Sequence, residues 1–258
     1  MRFYSTVAIG LSSAVSVVSA QDGCSALHLI FARGTGETKG LGLAGTSLAT
    51  ELKKLVPGVT TSPDDYPADF TGCASESKGI DDLVKQLTTR SKACPKQKYA
   101  LGGHSQGAVV TTRAIPKMPK DILPRILTVT NFGSPPCLPE VKDRCKSYCN
   151  KGDDICDGSK NSKSLGRCVT SRRLMARSWM TGEGDDEFVR QLNMESAKSL
   201  NLTSESTEDV NVEQVTCTGA DTPEKGHPVS GFTKFYHADA FYTKAAACYI
   251  ATKFQASS

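Results

Sequence analysis

Apolar and polar positions along this chain fall into two alternating kinds of block. Ala26-Leu27-His28-Leu29-Ile30-Phe31-Ala32 is a nearly continuous apolar run of strand length, and Tyr99-Ala100-Leu101 ends a second one. Runs of this kind fit strands buried on both faces. The pattern predicts strands over 26–32, 59–66, 98–103, 125–132 and 146–150, with helices over 46–55, 79–93, 106–115 and 238–254. Pro116 ends the third helix, because its ring removes a backbone donor and clashes with the preceding turn. The alternation implies βαβ crossovers, hence a doubly wound, mostly parallel five-stranded sheet with helices on both faces. Ligands on such sheets bind at the C-terminal strand ends.

One stretch breaks the pattern. Residues 157–231 are rich in Ser, Lys, Asp and Glu and poor in aromatics. They read as a large polar insertion, irregular and partly disordered by default, with one helix candidate over Asp185–Leu200. Cys168 and Cys217 are candidates to tether it. The chain thus divides into a leader over 1–20 and a single α/β domain over 21–258 that carries the insertion.

The strongest chemical signal is Gly103-His104-Ser105-Gln106-Gly107. A G-x-S-x-G between a strand and a helix is the nucleophile elbow of an α/β-hydrolase-like sheet: its glycines permit a sharp turn that lifts the serine hydroxyl clear of the backbone. A hydroxyl is a weak nucleophile at neutral pH, so an imidazole must take its proton and a carboxylate must orient that imidazole. The chain order expected on such a sheet is Ser, Asp, His.

Four histidines are available: His28, His104, His227 and His237. His28 lies inside the first strand pattern, and His104 belongs to the elbow. His237 precedes the apolar-periodic stretch Ala240 to Phe254 and can be held at the head of a core-packed helix, which suits a base. His227 lies in the turn-like Lys225-Gly226-His227-Pro228 and remains the rival. For the acid, Cys149-Asn150-Lys151-Gly152-Asp153-Asp154-Ile155-Cys156 stands out, because two cysteines seven apart can close a small loop around a carboxylate. Asp153 is the first choice and Asp154 the second.

Together these motifs resemble the cutinase and acetylxylan esterase family of secreted serine esterases. The family elbow is usually Gly-Tyr-Ser-Gln-Gly, so Ser105 and Gln106 match and His104 replaces a tyrosine. The first strand of the family ends in Ala-Arg-Gly-Ser/Thr, matched by Ala32-Arg33-Gly34-Thr35, and Tyr66-Pro67-Ala68 is similar to a further hallmark. The resemblance implies an α/β-hydrolase-like fold of flavodoxin-like strand order, with Thr35 and Gln106 donating backbone N–H groups to an oxyanion. It singles out Asp153 as the acid, and it implies disulfides Cys24–Cys94 and Cys149–Cys156. Residues 24–156 and the C-terminal helix carry the similarity; 157–231 do not.

Composition narrows the remaining classes. The net charge of +4 over 258 residues, with both signs interspersed, gives no case for nucleic acid or a membrane surface. Arg2, the apolar stretch from Val7 to Val18 and Val18-Ser19-Ala20 read as a secretory leader cleaved before Gln21. The polar end Gln255-Ala256-Ser257-Ser258 carries no lipid-anchor signal. Ten cysteines, all beyond the cleavage point, suit an oxidising compartment. Cys73, Cys137, Cys145, Cys168, Cys217 and Cys248 cannot be paired from sequence. Asn201-Leu202-Thr203 is a glycosylation sequon, and Arg172-Arg173 reads as a solvated face rather than a processing site.

Three other motifs fail. Gly40-Leu41-Gly42-Leu43-Ala44-Gly45 is a literal G-x-G-x-x-G, but the preceding strand ends several residues earlier and a secreted protein has little access to NAD. Its glycines read as a loop, with Thr46 or Ser47 as the helix cap. Cys145 and Cys149 lack the second half of a zinc site. Asp153 to Gly158 places Ile155 at a calcium-ligand position. No metal or cofactor is expected.

The expectation is therefore a secreted, soluble, monomeric serine esterase acting through an acyl-enzyme. Its first substrate reading is a cutin-like plant polyester, for which Leu41, Leu43 and Phe70 could supply apolar contacts. The largely polar Asp69 to Lys78 keeps an acetylated plant polysaccharide open. A non-catalytic recognition protein on the same fold is the alternative of another class.

Overall fold

In the computed structural model, which describes residues 24–133, 137–151, 156, 217, 225–227 and 240–257, β1 (Leu27–Ala32) is buried along its whole length. It is a central strand, paired in parallel with β2 (Thr60–Pro63) on one side and β3 (Lys98–His104) on the other. β4 (Ile126–Phe132) and β5 (Cys145–Asn150) follow, also parallel. The five strands run in the order β2-β1-β3-β4-β5, the flavodoxin-like order with its crossover point between β1 and β3.

Period-2 alternation sorts the core into two faces. Leu27, Leu29 and Phe31 point to a cluster with α1 (Gly42–Leu55) and α4 (Ala240–Gln255). Ile30 and Ala32 point the other way, to α2 (Cys73–Ala93) and α3 (Gln106–Ala114). On the first face an aromatic chain runs from Phe31 to Phe132, Tyr148 and Tyr242, with successive ring centroids 6.0, 5.2 and 5.6 Å apart. It fastens the C-terminal helix to three strands. Full burial of each such side chain contributes roughly 1.5–3 kcal/mol.

Three local expectations are corrected. α1 begins at Gly42 rather than at residue 46, and neither Thr46 nor Ser47 caps it. Thr46 Oγ1 donates back to the Gly42 carbonyl, and Ser47 pairs with Thr243 on α4. The Glu37 carboxylate takes the orphan Leu43 N–H instead. α2 begins at Cys73 rather than 79. Its first turn is polar yet buried: the Ser75 hydroxyl donates to Gln106 Oε1 on α3, so tertiary contact supplies what periodicity lacked. Finally, the segment read as irregular insertion contains a short strand, β6 (Lys225–His227), paired in parallel outside β5. Lys-Gly-His has no strand pattern in its side chains; backbone pairing to an open edge is what makes it one.

Both disulfides implied by the resemblance are formed, Cys24–Cys94 and Cys149–Cys156. Cys137–Cys145 and Cys217–Cys248 join them, and Cys73 is also disulfide-bonded, to a partner outside the described residues. Among the described residues no helix is long and apolar enough to cross a membrane. The leader, Arg172-Arg173, Asp185–Leu200 and Asn201 lie outside the described residues.

Candidate active site

Ser105 sits between β3 and α3 with φ 50° and ψ −115°. A non-glycine residue in this region is strained, and such strain is tolerated where surroundings over-determine the backbone. Here they do. The Ser105 N–H donates to Phe132 O on β4 (2.9 Å), and its carbonyl accepts from the Ala108 and Val109 amides at 3.0 and 3.2 Å. A Cβ on Gly103 would lie 2.3 Å from Gly107 O, and one on Gly107 would lie 2.0 Å from Ala32 O. The elbow is thus pressed against both its own helix and the end of β1, which is why its flanking positions must be glycine. Ser105 is half-buried.

The same close approach sets the loop that carries Thr35 alongside the elbow. Ala32 is in register with Gly103 on the neighbouring strand, so the loop after β1 and the elbow after β3 leave the sheet side by side. Of four successive amides in that loop, three are satisfied internally. Gly34 N–H donates to the Glu37 carboxylate, Gly36 N–H to Ala68 O (2.8 Å) and Glu37 N–H to Gly34 O (3.3 Å). The Thr35 amide is the one left over among the described residues. On the other side, Gln106 opens α3, where a first-turn N–H has no intrahelical acceptor. The Gln106 amide is thus unspent at a helix N-terminus that favours negative charge, and the Thr35 amide is unspent in the loop that leaves β1 alongside the elbow.

Side chains hold this frame. Gln106 Nε2 donates to Asp69 O at 3.0 Å and its Oε1 accepts from Ser75 at 3.1 Å, fixing the 69–72 turn to the elbow. Arg33 donates through Nε to Glu37 O (3.0 Å) and through Nη2 to Tyr66 O (2.7 Å) and Pro67 O (2.9 Å), with its guanidinium 5.3 Å from the Tyr66 ring centroid. The Tyr66 hydroxyl donates back to Arg33 O. Burial, and then the neighbouring Asp64, push the Tyr66 pKa above its ordinary value, so this donor keeps its proton. Tyr66-Pro67-Ala68 is thereby explained as the brace of the Thr35 loop. At the rim, Phe70 is 54% exposed, the one large hydrophobic side chain so exposed among the described residues; Leu41 and Leu43 are half-buried.

Two histidines are spoken for structurally. His28 is buried on the α2 face, with Nδ1 2.7 Å from Thr60 Oγ1 and Nε2 3.0 Å from Ser62 Oγ. Burial, and then Arg90, lower its pKa to about 4, so it is neutral. His104 is buried beneath the elbow, its Nδ1 3.5 Å from Glu37 Oε2.

The segment expected to supply the acid begins at the end of β5. Asn150 is fully buried there, and the Cys149–Cys156 disulfide closes the loop that contains Asp153 and Asp154. The Tyr242 hydroxyl on α4 donates to Cys149 O at 2.7 Å. Both aspartates lie outside the described residues, as does His237, three positions before α4. His227, expected in a turn, is instead the last residue of β6 and pairs with Asn150. The turn argument against it therefore falls away.

Sequence reasoning passed over Glu37. It stands three residues after Gly34 and just ahead of a helix start, which is where a capping carboxylate belongs.

A parallel sheet of this order, with a strained serine on the turn after its central strand, defines an α/β-hydrolase-like protein. The particular lineage follows from sequence: residues 23–181 match the Cutinase family. The chain belongs to that family. It is 34% identical over 155 residues to a cutinase of Kineococcus radiotolerans, a match that covers 52% of this chain and 52% of the relative. It is 34% identical over 150 residues to Cutinase 4 of Emericella nidulans, covering 56% and 66%. The matches thus span about half to two thirds of these relatives' length. Among solved structures, a cutinase-like protein from Cryptococcus sp. aligns with a TM-score of 0.48 at 19% identity, covering 58% of this chain and 90% of that one. The disulfides and the family are consistent with an extracellular location.

Proposed function

We propose that this protein is a serine carboxylic-ester hydrolase, secreted by way of a leader cleaved before Gln21. The observation that carries the reading is the strained Ser105 on the elbow between β3 and α3, supported by the unspent amides of Gln106 and, in the neighbouring loop, Thr35. Ser105 Oγ attacks the ester carbonyl carbon as His237 takes the hydroxyl proton, while Asp153 orients the imidazole and stabilises its cation. The carbonyl electron pair moves onto oxygen, which accepts hydrogen bonds from the two amides. Collapse breaks the bond to the alcohol, which leaves with the proton from the imidazolium. Water, deprotonated by the same base, then releases the acid and restores Ser105.

For substrate, we favour a short acyl group on a polar carrier, such as an acetylated polysaccharide. The 69–78 segment beside the elbow presents Asp69, Thr71, Ser77 and Lys78 with a single large exposed apolar side chain, Phe70. A cutin-like polyester is the second reading, favoured by Phe70 itself and by relatives named as cutinases.

The test is hydrolysis of a chromogenic acetate or butyrate by the purified protein beside Ser105→Ala. Turnover is expected to fall by roughly 10⁴–10⁶-fold, with a fluorophosphonate labelling only Ser105 in the parent. Near-full activity in the variant ends the serine mechanism. Absence of hydrolysis by the parent on every ester favours the recognition-protein alternative. Comparing acetylated xylan and short acyl esters with long acyl esters and a polyester film decides the substrate class.

A further inference from the structure

Glu37 is a buried acid, only 7% exposed, that spends its carboxylate on three different pieces of chain. One oxygen, Oε2, accepts the Gly34 N–H and lies 3.5 Å from His104 Nδ1; the other, Oε1, accepts the Leu43 N–H at 3.1 Å. Gly34 immediately precedes Thr35, His104 immediately precedes Ser105, and Leu43 lies in the first turn of α1. The space is made for this contact. A Cβ on Gly34 would lie 2.7 Å from His104 Nδ1 and 3.1 Å from Glu37 Oε2.

An ionised carboxylate is costly to bury unless paired and fully hydrogen-bonded. Here burial raises the Glu37 pKa, but the His104 charge and hydrogen bond and the Gly34 and Leu43 amides more than offset it, so the acid is held below its ordinary value. Through Oε1 the carboxylate serves the start of α1, but Oε2 faces the elbow and the loop after β1 instead. What the carboxylate does is lock the residue before the oxyanion amide to the residue before the nucleophile.

We propose that Glu37, paired with His104, is a positioning residue for transition-state stabilisation: it holds the Thr35 amide at a fixed distance from Ser105. The inference rests on the serine-esterase reading and adds a residue to it. Charge on the substrate oxygen develops only in the transition state, so a loosened Thr35 amide lowers kcat and leaves KM nearly unchanged. Glu37→Gln isolates the effect. Both oxygens of Glu37 accept from N–H groups, and an amide there must set its own NH₂ against one of them.

The experiment compares the parent and E37Q on a matched ester and thionoester, with thermal unfolding as the check on folding. Sulfur accepts hydrogen bonds weakly, so a thionoester draws little on oxyanion donors and reports the rest of the machinery. Loss of one oxyanion donor typically costs about 10²–10³-fold, and a displaced rather than deleted donor is expected to cost about 10–100-fold in kcat on the ester. KM should stay within about threefold, and the ester-to-thionoester rate ratio should fall by about fivefold or more. An ester kcat within about threefold of the parent, or a loss with the ratio unchanged, overturns the proposal. If E37Q does not accumulate as folded protein, His104→Leu carries the same test from the other side of the pair, with about a 3–10-fold loss and the same fall in ratio; an unchanged ratio there overturns it equally. Ser105→Ala run alongside separates the two levels. Activity retained in S105A removes the underlying reading, whereas an inactive S105A with a normal E37Q removes only this inference.

Discussion

Around Ser105 the chain is held by close backbone approach and buried polar bonds, whereas around the end of β5 it is held by covalent cross-links. On the first side, Gly107 fits against Ala32 O, Arg33 binds three carbonyls, and Glu37 gathers three segments. On the second, three of the four disulfides between described cysteines bear on β5 and α4: Cys137–Cys145, Cys149–Cys156 and Cys217–Cys248. The difference has a physical cause. The elbow follows a central strand with neighbours on both sides, so packing can immobilise it. β5 lies near the sheet edge, with only a three-residue strand outside it, and a loop leaving an edge has few partners. There a covalent link restricts the chain that leaves β5.

The largest expected effect decides which histidine serves the cross-linked side. His237→Ala should lower ester turnover about as far as Ser105→Ala, roughly 10⁴-fold or more, because triad members act as a unit. His227→Ala should change turnover by a few fold. The reverse result would make β6, and with it the insertion, part of the catalytic site. The pairing of His227 with Asn150 makes this comparison sharper than the sequence allowed.

A smaller effect is expected from cutting one link. Cys149→Ser/Cys156→Ser should cost about 2–3 kcal/mol of stability for so short a loop. Activity should drop further than the small loss of folded protein explains, while far-UV circular dichroism at 25 °C stays parental. Full activity in the double variant would show that the Asp153 loop keeps its place without the disulfide.

The smallest effect probes the packed side through pH. Asp64, just after β2, is fully buried, and neither carboxyl oxygen has a hydrogen-bond donor. Burial, and then the neighbouring Asp82 carboxylate, push its pKa up to about 9 from 3.8. A carboxyl raised in this way is neutral in the fold and ionised in the unfolded chain at neutral pH. Its contribution to stability is complete below about pH 4 and is lost as pH rises towards about 9. Asp64→Asn removes that titration. The variant should melt several degrees above the parent at pH 8, with the gain fading towards pH 4. A gain independent of pH would assign the effect to packing instead.

Legibility in the sequence followed the same division. The strands were readable because buried parallel strands are apolar on both faces, and β1 and β3 came out within a residue of their bounds. The elbow was readable because the tight turn and its approach to β1 both demand glycine, and the demands fall within five consecutive residues. The starts of α1 and α2 were not readable. Their first turns are stabilised by Glu37 and by the Ser75–Gln106 contact, which come from outside the helix. β6 was invisible for a related reason, since a strand formed by backbone pairing at an edge need not show apolar alternation.

By itself, then, the sequence determined the doubly wound sheet, the place of the elbow and the residue that stands on it, because these depend on periodicity and on a turn whose glycine demands fall within five consecutive residues. Tertiary structure decided the remainder. Which amide near Ser105 stays unspent depends on the Ala68 carbonyl and on the Glu37 side chain. Which cysteines join Cys145 and Cys248 depends on proximity after folding. That Glu37 and His104 meet beneath the elbow is a contact across 67 positions, and it arises because β1 and β3 are neighbours in the sheet.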